Sequence, residues 1–521
     1  MCQCGIRKSA VPKAAQTWSK TSMKKTSRPN IILILTDDQG YWSLGCSGNR
    51  EIRTPSIDAL AAGGVRLENF FCTSPVCSPA RASLLTGRIP SQHGVLDWIR
   101  KGHGEVHGDA PVDYLEGIAG YTDLLAANGY TCGISGKWHL GATGYPQKSF
   151  EHWFVTLGGS GTYRDAMVYK GREKVQTKGY LTDVITDDAL SFIEECCSRD
   201  DGKPFYLNLT YTAPHSPHVD QHKQEYVDYY YENAAFDDVP QAPRHAGSIA
   251  NPHDMAYSLT FASKEREYLT LRDLLSGYYA AVQGIDDNVG KVVRKLEELG
   301  IREKTLIIYT SDNGFNCGQH GIWGKGNATM PLNLYDTSVK VPCIFNYPGH
   351  VRAGEVYDEL LSAYDIMPTL LEMVGIENPE AGSLPGRSFL SLLKEGKKGN
   401  YHESITVFDE YGPNRMIRTK EWKYIRRYPY GQDELYDLAH DPQERFNLLA
   451  ENRYFYYGPD FIEGKTVELR KMLEEWFAKY ADADHDGKAE PVMGRGQLCK
   501  VGQEAEGRLT FSPAVDVEYR R

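Results

Sequence analysis

The segment Cys77-Ser78-Pro79-Ala80-Arg81, continued by Ala82-Ser83-Leu84-Leu85-Thr86-Gly87-Arg88, sets a thiol, a proline and a guanidinium at fixed spacing. With eleven cysteines in 521 residues, chance Cys-x-Pro-x-Arg matches number about 0.03 per chain. Pro79 fits the first turn of a helix, which leaves Cys77 at the anion-favouring N-terminal end. On these residues alone, Cys77 is either a buried structural cysteine or a thiol activated by the helix dipole. Cys72, five residues earlier, lacks the Pro and Arg spacing and reads as structural. A second set is made of oxygen donors: Asp37, Asp38, Asp312 and Asn313. Hard Ca²⁺ or Mg²⁺ prefers such a set, and zinc does not. Either pair alone would equally suit a turn or a helix N-cap. Asn rather than His at 313 points to one metal rather than two. Lys137, His139, His215 and His218 add cationic and proton-carrying groups.

These residues need elements to bring them together. Ile31 to Leu35 reads as a buried strand, Pro55 to Gly63 as a helix, and Pro79 to Leu85 and Tyr121 to Asn128 as two more. Thr131 to Ile134, Phe205 to Leu209, Thr305 to Thr310 and Val341 to Phe345 read as strands, and Tyr278 to Leu299 as a long helix ending at Gly300. Alternating strands and helices predict an α/β fold, a mostly parallel sheet flanked by helices. In such sheets ligands sit beyond the carboxyl ends of the strands. Just past four of the strands stand Asp37-Asp38, Lys137 with His139, His215 with His218, and Asp312-Asn313. That coincidence weighs more than any single motif.

The chain carries a formal charge of −11, with 41% hydrophobic and 24% charged residues. This fits a globular protein and makes nucleic acid and anionic lipid poor partners. No apolar run reaches the ~20 residues of a membrane-spanning helix. Coiled coil and collagen are excluded as well. Residues 1 to 28 form a polar leader without an apolar signal region, expected to be disordered, with Met23 an alternative start. A cytoplasmic location with reduced thiols is the expectation. The catalytic domain is expected over 29–397, interrupted by a Tyr-rich insertion at about 219–275 that would shape a pocket rim. A C-terminal α+β subdomain, an antiparallel sheet plus a helix, is expected over 398–481, and an irregular tail over 482–521.

The Cys77 segment resembles the activation signature of the type I sulfatase family, in which that cysteine is oxidised to formylglycine. The resemblance extends over about Pro29 to Leu449. It takes in Thr36-Asp37-Asp38-Gln39-Gly40, Gly136-Lys137-Trp138-His139, Ala213-Pro214-His215, Ser311-Asp312-Asn313-Gly314 and Trp323-Gly324-Lys325-Gly326. It also takes in Glu434-Leu435-Tyr436-Asp437-Leu438 near the C-terminus. It implies an alkaline-phosphatase-like fold and a sulfatase that hydrolyses sulfate monoesters, with a carbohydrate as the expected substrate. By the same resemblance Asp37, Asp38, Asp312 and Asn313 hold Ca²⁺ (or Mg²⁺) together with the modified Cys77. Arg81 binds that residue, Lys137 and His139 flank it, and His215 and Lys325 meet the sulfate on the leaving-group side. A formylglycine-generating or anaerobic sulfatase-maturating enzyme is then a required partner. A hydrated aldehyde has two hydroxyls, one to attack sulfur and one to release sulfate, an exit that a thiol or serine lacks.

Other signals carry less. Asp482-Ala483-Asp484-His485-Asp486-Gly487 imitates an EF-hand start, but Met493 stands where the bidentate Glu belongs. His320 reads as a support residue. His103 and His107, in a polar Gly-rich stretch, and His218 are candidate substrate-binding residues. Two rival functions remain open: a phosphonate monoester or phosphodiester hydrolase using the same modified cysteine, and a catalytically silent glycan-binding protein.

Overall fold

The structure, a computed structural model, describes residues 28–104, 108–199, 201–240, 242–248, 269–409, 414–429, 431–450, 457–486, 488, 492, 494–502 and 509–512. The main sheet has ten strands. In chain order they are β1 (Asn30–Asp37), β2 (Val65–Phe71), β3 (Thr131–Gly136), β4 (His152–Thr156), β5 (Met167–Lys170), β6 (Glu173–Gln176), β7 (Phe205–Pro214), β8 (Thr305–Ser311), β11 (Cys343–Asn346) and β12 (Glu355–Ser362). A two-residue ribbon, β9 (Asn316–Cys317) and β10 (Trp323–Gly324), interrupts the series. The spatial order is β12-β2-β11-β8-β1-β7-β3-β4-β5-β6. The central block β8-β1-β7-β3 is parallel throughout. β11 runs antiparallel to both its neighbours, and β5 and β6 close one edge as antiparallel strands.

Alternation along β1 assigns the two faces. Ile31, Leu33 and Leu35 enter a core shared with the helices Cys77–Thr86, Tyr121–Ala127 and Ile366–Val374. Ile32 and Ile34 enter the opposite core with Pro55–Ala62, Leu181–Ser198 and Leu271–Glu298. A strand buried on both faces reads as a continuous apolar run, which is why Ile31 to Leu35 was legible. The long helix begins seven residues before the sequence expectation. Thr270 caps it: Asp273 N–H donates to Thr270 Oγ1 (3.2 Å), and Thr270 N–H donates to the Asp273 carboxylate (2.8 Å).

A separate antiparallel sheet follows, β13 (Ile405–Asp409), β14 (Asn414–Arg418), β15 (Trp422–Arg427) and β16 (Glu434–Asp437), with helix Pro459–Tyr480 packed on it. Ile417, Trp422, Tyr424 and Leu435 meet Ile462, Leu469, Leu473 and Phe477. The sheet is fastened to the main domain by charge. Lys423, fully buried, pairs with Asp336 (2.7 Å) and Glu444, and Arg418 pairs with the same Asp336 (3.1 Å).

Two expectations need revision. The described part of the insertion is partly core: Tyr230, the one buried residue of helix Gln224–Asn233, packs against Tyr279, and Arg53 stacks 3.4 Å over Tyr229, while Tyr231 stays exposed. Residues 249–268 of the insertion, like 1–27 of the leader, lie outside the described residues. The described tail is irregular but docked: Val492, Val501 and Phe511 join the C-terminal core, and Asp486 pairs with Arg415 (2.6 Å). Among the described residues no helix is long and apolar enough to cross a membrane.

Candidate active site

Four adjacent parallel strands end on the same side of the sheet. Their carboxyl ends deliver Asp312 and Asn313 (β8), Asp37 and Asp38 (β1), His215 (β7), and Lys137 and His139 (β3). The helix Cys77–Thr86 starts at Cys77 itself, two residues before the expected start. Its first turn faces this edge. Cys77 Sγ lies 3.2 Å from Asp37 Oδ1 and accepts from Lys325 Nζ at 2.9 Å. Lys325, presented by the turn after β10, also donates to Asp38 Oδ1 (2.5 Å).

Arg81, one turn further along the helix, donates through Nε to Asp312 Oδ2 (2.8 Å) and through Nη1 to Lys137 O (3.0 Å), with Nη2 3.6 Å from Asp37. Lys137 Nζ pairs with Asp37 Oδ2, both side chains fully buried. Gly136, at φ +119°, permits the approach: a Cβ there would lie 1.7 Å from Thr210 O, to which Lys137 N–H donates at 2.8 Å. Asp38 and His139 themselves sit in left-handed backbone, at φ 64° and 54°. For non-glycine residues that costs on the order of 1 kcal/mol each, strain of the kind found at functional sites.

Three carboxylates (Asp37, Asp38, Asp312) face three cations (Arg81, Lys137, Lys325), and the pKa directions follow from this packing. Burial would raise the Asp37 carboxyl, but Lys137, His215, Arg81 and Lys325 outweigh it and hold it well below the usual range. Burial and the Asp37 charge push Asp312 up to about 7. The Cys77 thiol is pushed up by burial and then by Asp37, so the unmodified residue is a poor thiolate nucleophile. That disfavours the dipole-activated thiol.

His139 donates through Nε2 to Ile99 O (3.1 Å), while its buried Nδ1 has no hydrogen-bond partner. Burial, then Lys137 and His103, push its pKa well below the ordinary histidine value. It is therefore a neutral ring with a free lone pair. His215 donates through Nδ1 to Ser216 O (2.7 Å), which leaves Nε2 3.6 Å from Asp38 Oδ2.

The donor set suits a divalent ion. One ligand atom each from Asp37, Asp38, Cys77 and His215 lies within 4.8 Å of the others, and Asn313 Oδ1 is buried without a partner while its Nδ2 donates to Asp38 (2.7 Å). Asp312 stands slightly apart: Oδ1 accepts from Asp38 N–H (3.2 Å) and Asn313 N–H (2.8 Å), and Oδ2 is taken by Arg81. The protein's own charges balance here. A divalent ion would leave the site doubly positive, complementary to an anionic ester.

The three substrate-binding histidines fare differently. His103 is buried, its ring nitrogens 3.1 Å from Gly141 O and 3.0 Å from Ile99 O, and stacks behind His139 with centroids 5.5 Å apart. It supports His139 rather than lining a pocket. His218 is also removed from any substrate: it donates to Pro214 O (2.9 Å) inside a cage of Tyr278, Phe315 and Trp323, and burial lowers it to about 4. His107 lies outside the described residues. His320 stacks face to face on Tyr335 at 3.8 Å, a packing role.

Several supporting residues were not singled out from sequence. Ser78 donates to His139 O (2.9 Å) and accepts from Ile99 N–H (3.0 Å), which ties the motif helix to the β3 end. Tyr278 donates to Asp38 O (3.0 Å) and accepts from Gly40 N–H (3.1 Å), holding the strained Asp38 turn. Ser78 lay in plain view inside the motif; Tyr278, 240 residues from Asp38, carried no local signal.

Comparison with known proteins decides the family. The family profile described as Sulfatase matches residues 29–376, two thirds of the chain. The chain belongs to the sulfatase family. It is accordingly a sulfuric ester hydrolase with the alkaline-phosphatase-like architecture. A second profile, described as N-sulphoglucosamine sulphohydrolase, C-terminal, matches residues 318–460 of this sulfatase. Among curated relatives, it is 28% identical over 538 residues to N-acetylglucosamine-6-O-sulfatase of Bacteroides thetaiotaomicron, covering 91% of this chain and 90% of that one. It is 28% identical to N-acetylgalactosamine-6-sulfatase of Rattus norvegicus, covering 82% of each. A protein solved in complex with its substrate D-glucosamine-2-N,6-O-disulfate superposes with a TM-score of 0.73 at 25% identity, covering 89% of this chain and all of that one.

Proposed function

We propose that this sulfatase removes sulfate from a 6-O-sulfated amino sugar, using formylglycine made from Cys77 and one Ca²⁺ ion. The observation that carries the reading is the placement of Cys77 Sγ against Asp37 and Lys325 where four strand ends meet. The sugar class is supported by both relatives and by the solved neighbour, each named for a 6-sulfated hexosamine. Ca²⁺, held by Asp37, Asp38, Asp312, Asn313 and the modified Cys77, would polarise the ester oxygens and acidify the attacking hydroxyl. Formylglycine, as its hydrate, would supply that hydroxyl and a second one through which sulfate leaves.

The chain's own residues do the rest. Arg81 is locked between Asp312 and Lys137 O, so it holds residue 77 without drifting. Lys137 and Lys325 neutralise charge on the sulfuryl oxygens. Burial lowers the His215 pKa, so with its Nδ1–H on Ser216 O its Nε2 carries a proton for the departing sugar oxygen only in the imidazolium form, which Asp38 and Asp37 favour. His139 accepts a proton at its unpartnered Nδ1. We take residues 29–397 as the catalytic domain and a formylglycine-forming enzyme as the maturation partner.

The test starts with the mass of the tryptic peptide Leu67 to Arg81 from protein co-produced with a maturation enzyme. The peptide contains Cys72 and Cys77, so fragmentation gives an internal control. Conversion of Cys77 alone, with release of sulfate from N-acetylglucosamine-6-sulfate, is the expected result. An unmodified Cys77 under competent maturation defeats the mechanism. Faster turnover of an aryl phosphonate than of any sulfate would favour the phosphonate hydrolase instead, and a fully matured protein inactive on every ester would favour a silent glycan binder.

A further inference from the structure

A cavity of about 490 Å³ opens between the C-terminal sheet and the loop that follows Lys325. This lies within the size range of small-ligand sites, roughly 300–1,000 Å³. Met330, Leu332 and Tyr335 form one wall, and Asn414, Arg427 and Glu434 of the antiparallel sheet form the other. Exposed Gln432 stands at its edge.

The wall is tied to the catalytic centre. Asn333, next to Leu332, donates through Nδ2 to Lys325 O (3.0 Å) and through its backbone N–H to Gly326 O (3.1 Å). Leu332 Cα is therefore within about 13 Å of Lys325 Cα, counting two chain steps and one hydrogen-bonded pair. The far wall is held rigid by ions. Arg427 is buried and donates through Nε (3.0 Å) and Nη2 (2.5 Å) to Glu434 Oε1, and through Nη1 to Asn414 Oδ1 (2.8 Å) and Leu332 O (2.9 Å). Tyr436 donates to the other Glu434 oxygen (2.7 Å).

Its chemistry is polar without net charge. Arg427 and Glu434 cancel, so no uncompensated cation among the described lining residues awaits a second sulfate or a uronate. What the cavity offers is aromatic faces (Tyr335, Tyr428, Tyr436), amides and paired charges, a set suited to sugar faces and hydroxyls. We propose that this cavity is a subsite for a neutral sugar adjoining the sulfated one, so that the enzyme selects a sulfated unit within an oligosaccharide. The proposal rests on the saccharide-sulfatase reading above. It also gives the C-terminal sheet a part in specificity rather than in stability alone.

The experiment compares kcat/KM of the matured enzyme on four probes. These are an aryl sulfate, N-acetylglucosamine-6-sulfate, the same sugar carrying a β1,4-linked galactose, and the same sugar carrying a uronate in place of galactose. The galactose disaccharide should exceed the monosaccharide by about tenfold, and the uronate should bring no such gain. Two variants at solvent-accessible positions, Gln432→Ala and Met330→Trp, should remove that advantage through KM and leave aryl sulfate turnover unchanged. Equal kcat/KM on monosaccharide and galactose disaccharide overturns the subsite, as does equal loss on aryl sulfate in both variants. A preference for the uronate overturns the neutral-sugar assignment. Failure of the wild-type enzyme on every sulfate, with Cys77 converted, would instead overturn the sulfatase reading beneath it and the subsite with it.

Discussion

Gln497 lies in the tail, 420 residues beyond Cys77, yet its side chain is fully buried beside the loop over residues 94–99. Its Oε1 accepts from the N–H groups of Leu96 (2.8 Å) and Asp97 (3.3 Å), and its Nε2 donates to Gly94 O (3.0 Å) and Cys499 O (2.9 Å). The loop it grips ends at Ile99, whose carbonyl receives His139 Nε2 and whose N–H meets Ser78. Gln497→Ala would strip four partners from buried backbone groups. At about 1 kcal/mol each, the low end for unsatisfied buried groups because water can enter from the nearby surface, the local loss is about 4 kcal/mol. That corresponds to up to about a thousandfold rise in hydrogen exchange at the Leu96 and Asp97 amides, beside a fall in Tm. Loosening of residues 94–97 passes to the Ile99 carbonyl against two backbone bonds that alanine keeps, from Gln497 N–H to Trp98 O (2.8 Å) and from Arg100 N–H to Gln497 O (2.9 Å). It should lower kcat by up to about tenfold and leave KM within twofold, since the His139 lone pair is then misaimed while the cations stay in place. Exchange measured by mass spectrometry beside kinetics on an aryl sulfate checks both arms. Unchanged protection at Leu96 and Asp97, or faster exchange with undiminished kcat, would refute the claim that the tail positions His139.

Four further outcomes follow from the same geometry. Gly136→Ala should abolish turnover or solubility, because its Cβ would meet Thr210 O and displace Lys137; a folded, fully active variant would sink that argument. Lys423→Met leaves Glu444 without its cation, while Asp336 keeps Arg418, and should cost about 3 kcal/mol, read as a clear fall in Tm; a melt within a degree of wild type would show the C-terminal sheet does not depend on this contact. Ca²⁺ at a hundredfold excess over its Kd should stabilise the protein by about 2.7 kcal/mol, reversed by EDTA and lost in Asn313→Ala, and a Tm indifferent to Ca²⁺ would contradict the metal assignment. Burial and the Asp336 charge push Glu444 up to about 7, so the folded state takes its proton well above the ordinary glutamate value of 4.5, and stability from this group falls as pH rises through that window. Glu444→Gln should flatten that slope in denaturant melts between about pH 4.5 and 7, whereas an unchanged slope would place the titration elsewhere.

Much of the site was legible because parallel α/β sheets concentrate chemistry at strand ends. Asp37-Asp38 and Asp312-Asn313 are each separated by no more than two residues, Thr36 and Thr310-Ser311, from the apolar run of a buried strand, so the residue types and the topology pointed to the same place. The Cys77 motif was legible for a different reason, its low chance frequency. What escaped was long-range support. β2 alternates partly buried polar residues with apolar ones and was not read as a strand, and β11, expected as a strand over Val341 to Phe345, pairs antiparallel on both sides. The Tyr residues of helix Gln224–Asn233 looked like a rim because tyrosine serves rims and cores alike. Only the fold brings Tyr230 onto Tyr279.

The histidines mark the same limit more sharply. His103, His139, His215 and His218 are all buried or half-buried beside the strand ends, and their residue type alone predicts one chemistry for all four. Their roles diverge through the hydrogen bonds each ring makes. His218 gives its one proton to Pro214 O inside an aromatic cage, and His103 is held between two carbonyls. His139 spends its proton on Ile99 O and keeps a lone pair free, and His215 turns Nε2 toward Asp38. Three of the four carbonyls involved, Gly141, Pro214 and Ser216, lie within two residues of His139 or His215. Ile99 O belongs to a loop braced by Gln497, which couples that tail residue to the orientation of a ring at the end of β3. A residue-by-residue reading therefore finds the reactive groups readily and their tuning poorly, because the tuning is done by backbone carbonyls that any sequence would supply.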